Sequence, residues 1–179
     1  MKPRARRAGT LVALWSAMVV APVAAQAEHR TRLSGYDETP NTINTPASGE
    51  FRAKLRDGGT SIDYELTYRD TPTPVTQAHI HFGLPATSGG IVLFLCTNLT
   101  PPTGVPAPPG CPPAPATVTG TLSAADVIAV PTQGIDAGAA GFPEILRAIR
   151  EGAAYANVHT SGRPSGEIRG RLRGHGFGR

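Results

Sequence analysis

The sequence predicts an all-β fold, an antiparallel sandwich or barrel of about eight strands with one short helix. Two neighbouring segments carry most of that expectation. Gly49-Glu50-Phe51-Arg52-Ala53-Lys54-Leu55-Arg56 alternates, Asp57-Gly58-Gly59 offers a turn with residues that tolerate positive φ, and Ser61 to Tyr68 sends Ile62, Tyr64, Leu66 and Tyr68 to one face. Such a hairpin has one buried and one wet face, as antiparallel sheets do. Composition agrees, because 21 glycines and 18 prolines beside only 6% aromatic residues suit short elements and turns better than a helical bundle. A chain of 179 residues fits one domain with a proper core.

Residues 1–27 read as a secretory signal, with a basic start, an apolar run from Leu11 through Val23, and Ala25-Gln26-Ala27 as a small-x-small cleavage site. Pro22 interrupts the run, which is shorter than the roughly 20 residues a membrane span needs, so no span is expected after cleavage. Residues 28–179 are then the mature domain, secreted or periplasmic. Lys2, Arg4, Arg6 and Arg7 lie in the leader; without them the 17 basic residues become 13, equal to the 13 acidic ones. The high isoelectric point therefore belongs to the leader, and nucleic acid is not an expected partner.

His29 to Tyr36 is a possible first strand anchored by Leu33, and Pro40 to Ser48 is a loop. Beyond the hairpin, Pro72 and Pro74 turn the chain into a strand around Ala78-His79-Ile80-His81-Phe82-Gly83, and the apolar run Ile91–Leu95 reads as a strand buried on both sides. The proline-rich loop 97–116 follows, flanked by Cys96 and Cys111, the only two cysteines of the chain. In an exported protein they are expected to pair, closing a loop worth about 3 kcal/mol of chain entropy. A thiolate metal site is the weaker alternative, since the spacing is long and no histidine lies nearby.

Thr117 to Leu122 is another strand, and Ser123-Ala124-Ala125-Asp126 resembles a capped helix start that Pro131 and the glycines of 134–141 stop early. The one sustained helix is expected at 142–150, with Pro143 in its first turn and Phe142, Ile145, Leu146 and Ile149 forming an apolar stripe. Two strands close the domain, one through Tyr155-Ala156-Asn157-Val158-His159 and one through Glu167 to Arg173, with Arg169, Arg171 and Arg173 read as a solvated row.

Period-two alternation puts His79 and His81 on one strand face, and the same reading puts Tyr155, Asn157 and His159 on the polar face of theirs. Cα atoms two apart on a strand are roughly 6.5 to 7 Å apart, so pairing the two strands gathers three imidazoles that can reach one copper or zinc ion. The competing reading makes the same histidines structural, each tying a loop carbonyl to a strand end. Convergence of the three nitrogens to within about 4 Å separates the two. Glu167 and Arg169 read as an exposed cross-strand ion pair.

The series Phe51-x-Ala53-x-Leu55, Tyr64-x-Leu66, Ala78-His79-Ile80-His81-x-Gly83, Asn157-Val158-His159-Thr160 and Pro164-x-Gly166-Glu167-Ile168-Arg169-Gly170-x-Leu172 resembles the chordin-type (CHRD) domain. It covers nearly all of the chain beyond residue 30. The resemblance implies a single-domain secreted bacterial member, a binding or structural module without catalytic activity that meets an extracellular protein or an envelope component. Its polar motif residues include Asn157, Glu167 and Arg169. Hydrolysis finds no support, since Ser88-Gly89-Gly90 and Ser161-Gly162 are turn sequences and there is no nucleophile elbow or phosphate-cradling loop. A His-x-His strand in a secreted β domain is loosely like copper-zinc superoxide dismutase, an analogy of architecture alone.

Overall fold

The computed structural model describes residues 28–173, so the expected leader lies outside the described residues. Eight strands form one antiparallel sheet: β1 (Glu28–Ser34), β2 (Ser48–Arg56), β3 (Ser61–Arg69), β4 (Val75–Phe82), β5 (Gly90–Thr97), β6 (Ala116–Ser123), β7 (Ala154–Thr160) and β8 (Ile168–Leu172). Their order is β5-β4-β7-β8-β1-β2-β3-β6. The sheet curls until its two end strands approach, giving a nearly closed barrel. The Tyr64 hydroxyl of β3 donates to the Leu95 carbonyl of β5 at 2.6 Å, a bond across the remaining gap. Loop segments seal the free edge of β5, with the amide of Ile128 donating to Val92 and that of Thr97 to Pro109.

The β2–β3 hairpin is as its alternation requires. Phe51 pairs with Leu66, Ala53 with Tyr64 and Leu55 with Ile62, and Asp57, Gly58 and Gly59 all take positive φ in the turn. Leu33, Phe51, Ile62, Leu66, Tyr68, Ile80, Val158 and Ile168 fill the interior, each at most 1% exposed. By the area rule each such side chain is worth about 1.5 to 3 kcal/mol.

Helix α1 (Gly138–Arg150) buries Phe142, Ile145, Leu146 and Ile149 as expected, but it starts four residues before 142. Pro143 therefore lies inside the helix and forgoes one backbone bond. The glycines that looked like breakers permit this start. Gly138 enters at φ 64, and a side chain on Gly141 would sit 1.9 Å from the Asp136 carbonyl oxygen. Ser123 caps a single helical turn, with Asp126 returning a bond to its amide.

Cys96 and Cys111 are joined in a disulfide across a separation of 15 residues. Asn98 organises the loop between them, accepting from the Cys111 amide at 2.9 Å and donating to the Cys111 and Val75 carbonyls.

Candidate functional site

β4, β7 and β8 lie side by side, and the face they turn away from the barrel interior is not wet. All seven residues of β7 are buried, and His79, His81, His159, Asn157 and Arg169 are each at most 8% exposed. The segments 35–47, 83–89 and 161–166 fold over this face. The expected polar surface is thus a buried polar layer, and every group in it must find a partner or bear the cost of losing water.

The partners come mostly from the covering loops. Asn157, opposite His79 in the β4–β7 register, donates to Oε1 of Glu38 at 2.7 Å. The Glu167 carboxylate accepts from the hydroxyls of Thr45 and Thr160, the latter at 2.9 Å. Arg169 donates to the Thr39 hydroxyl and to the carbonyls of Leu84 and Thr87. Its guanidinium carbon lies 3.4 Å from the Tyr155 ring centroid, and the His81 ring stacks on Tyr155 at 4.8 Å with planes 2° apart. Glu167 and Arg169 therefore form no exposed ion pair, and Arg169 belongs to no solvated row. Each is buried and bonded to its own loop.

Gly166 lets the layer close. It has φ 133, and a Cβ there would lie 2.7 Å from both Glu38 carboxylate oxygens and 2.8 Å from Oδ1 of Asn157. The Pro164-x-Gly166-Glu167 motif is a turn that brings two loops onto one strand.

The three histidines meet within this layer. One ring nitrogen from each lies within 4.8 Å of the others, a looser triangle than the 4 Å expected of a preformed site. Nδ1 of His79 is 3.2 Å from Nε2 of His159, a hydrogen-bond distance. Nδ1 of His81 is 3.0 Å from the Gly89 carbonyl and Nδ1 of His159 is 3.0 Å from the Pro164 carbonyl. A carbonyl only accepts, so both Nδ1 atoms carry their protons and both Nε2 atoms are lone pairs. Among buried side-chain atoms, Nε2 of His79 and Nε2 of His81 have no hydrogen-bond partner.

Burial keeps the rings neutral. It depresses His79 to about 2, aided by repulsion from His159 and His81, and His81 to about 4 against the opposing bond to Gly89. His159 is also lowered by burial, against its bond to Pro164. Desolvation raises the Glu38 carboxyl to about 7 despite the Asn157 bond and the nearby Arg169. The layer thus combines uncharged nitrogen donors, a carboxyl poised near neutrality and a buried guanidinium.

Fold and site together define a disulfide-linked, nearly closed β domain whose motif residues form an internal polar layer around three neighbouring histidines. Its family follows from direct comparison: the CHRD domain model matches residues 30–172, and the chain belongs to the CHRD domain family. No curated protein and no solved structure matches the chain.

The sequence reading chose His79, His81, His159, Asn157, Glu167 and Arg169, and the structure brings all six into one layer. It missed Glu38, Thr39 and Thr45, which sit in a segment that reads only as a polar loop. A buried acid in such a loop has no periodic signature. Its partner Asn157 lies 119 residues away in sequence.

Proposed function

We propose that the protein is an exported, non-catalytic binding or structural module of the CHRD family. Residues 1–27 are its secretion signal and residues 28–179 the mature domain, which acts in the periplasm or outside the cell on an extracellular protein or an envelope component. One observation carries this reading. The polar motif residues spend their hydrogen-bonding capacity on fastening loops to the sheet, as His81 does to Gly89, His159 to Pro164, Asn157 to Glu38 and Arg169 to Leu84 and Thr87. The layer holds a loop-built surface in place, and that surface includes a cleft between residues 38–44 and 162–166. The Cys96–Cys111 disulfide fits an oxidising compartment. Among the described residues no helix is long and apolar enough to cross a membrane.

The test is export followed by site-directed photo-crosslinking. The full chain, expressed with a C-terminal tag, should yield a protein beginning at Glu28 in the periplasm or medium. A crosslinker at Asn41 or Ser165 should give a discrete envelope adduct that one at Lys54 does not. Retention of an unprocessed chain in the cytoplasm would sink the reading.

A second reading has its own support. Three neutral imidazoles converge, two of them held by carbonyls in the tautomer that frees Nε2, as in metal sites whose ligands are oriented from behind. On this reading His79, His81 and His159 bind copper or zinc. Metal content and titration of the purified protein beside a His79→Ala/His81→Ala variant test it. Stoichiometric metal lost in the variant supports it, and no ion bound more tightly than about micromolar ends it.

A further inference from the structure

Resting on the metal reading, we infer that the His79/His81/His159 cluster selects a monovalent cation, Cu(I), over Zn²⁺ and Cu²⁺. The argument begins with charge. The cluster contains no carboxylate and no thiolate. The two acids of the polar layer are engaged elsewhere, Glu38 with Asn157 and Glu167 with Thr45 and Thr160. None of the three ligands is anionic, so the ion and its ligands together keep the ion's full charge, at a place where His79 is 0% and His159 6% exposed. Solvation cost grows as the square of the charge, so a divalent ion loses roughly four times what a monovalent one loses on leaving water. The Arg169 guanidinium, stacked on the Tyr155 ring that in turn stacks on His81, opposes a second positive charge further.

Coordination number points the same way. Zinc takes four ligands, and where a protein supplies three, water takes the fourth place. Here Nε2 of His79 and Nε2 of His81 each expose less than 1 Å² to solvent. Phe94 stands edge-on to the His79 ring at 4.3 Å, and Tyr155 covers the His81 ring at 4.8 Å. Aromatic walls replace the water that a four-coordinate ion would keep. Cu(I), whose single charge asks less of its ligands than a divalent ion's, is satisfied by three neutral nitrogens. The 4.8 Å spread exceeds what three bonds of about 2 Å span, so the rings draw together on binding. The loops whose carbonyls hold His81 and His159 lie at the surface and provide the way in.

The experiment uses the purified, disulfide-intact protein under anaerobic conditions. Cu(I) is delivered as its acetonitrile complex against a bicinchoninate competitor, and Zn²⁺ and Cu²⁺ are titrated separately. The expected result is one Cu(I) per chain held at least about 100-fold more tightly than either divalent ion. His81→Gln and His159→Gln should lose that binding, and the copper absorption edge should show a three-coordinate nitrogen site. Zn²⁺ or Cu²⁺ bound equally well through the same histidines overturns the preference for a monovalent ion and leaves the metal reading standing. No ion bound by the wild type removes both. Copper bound with unshifted histidine ¹⁵N signals overturns the assignment even where a variant fails to fold.

Discussion

Nδ1 of His79, on β4, lies 3.2 Å from Nε2 of His159, on β7. Because Nδ1 of His159 donates to the Pro164 carbonyl, its Nε2 is the acceptor, and in the metal-free protein His79 donates through Nδ1. The three rings then share one tautomer, each with an unprotonated Nε2, that of His159 accepting from His79. Histidine ¹⁵N spectra of the metal-free protein should show Nδ1–H at all three positions, with His79 and His81 unprotonated from pH 8 down to about 5, since burial lowers them to about 2 and about 4. An Nε2–H signal from His81 or His159 would contradict the carbonyl bonds.

Glu38 gives stability a pH dependence of opposite sign to the histidines. Its pKa is raised from 4.5 to about 7, so between those values the folded state holds more protons and stability falls as pH rises. The lowered histidines bind protons more readily when unfolded, so their contribution rises with pH up to about 6.5 and then levels. Three histidines outweigh one carboxyl below pH 6.5, so stability should rise with pH and level off at about pH 7 to 8 by the linkage rule. Glu38→Gln keeps an acceptor for Asn157 and removes the carboxylate, so its stability relative to wild type should improve by about 1 to 3 kcal/mol between pH 5 and pH 8. Urea melts at the two pH values measure this. An unchanged difference would show that Glu38 is ionised in both.

Arg169→Ala should cost about 2 to 4 kcal/mol, because the Leu84 and Thr87 carbonyls lose their donor and Tyr155 loses the guanidinium on its ring. Arg169→Lys should recover less than half, since an ammonium cannot reproduce the planar fork. Hydrogen exchange in segment 83–89 should rise in both variants more than in β2. Stability equal to wild type in the alanine variant would mean that the loop is held by other bonds.

Gly166→Ala should destabilise by about 2 to 4 kcal/mol, because the residue takes φ 133 and its new Cβ would meet the Glu38 carboxylate at 2.7 Å. Glu38→Gln should not relieve this, since the amide occupies the same space. Full recovery in the double variant would assign the cost to charge instead of shape.

Replacing the disulfide by Cys96→Ser/Cys111→Ser should cost about 3 kcal/mol, the chain entropy of the closed loop. Limited proteolysis should then cut first within 97–116. Wild-type stability in the double serine variant would show that Asn98 and its three bonds hold the loop without it.

The amino-acid sequence by itself determined the barrel's strands, the hairpin register and the inward residues. Alternation is a local property, and Ile62, Tyr64, Leu66 and Tyr68 carry it whatever the rest of the chain does. It also determined the helix stripe, though not the helix start, because Gly138 and Gly141 are placed by a turn at Asp136 that no periodicity encodes. Only the tertiary structure decided whether the second face of β4, β7 and β8 is wet. Alternation says that His79, His81, Asn157 and Arg169 share a face and is silent on what covers it. The cover comes from Glu38, Thr39 and Thr45, which reach Asn157, Arg169 and Glu167 across 119, 130 and 122 residues. Burial, and with it the neutral imidazoles and the raised Glu38, arises only when those distant segments meet.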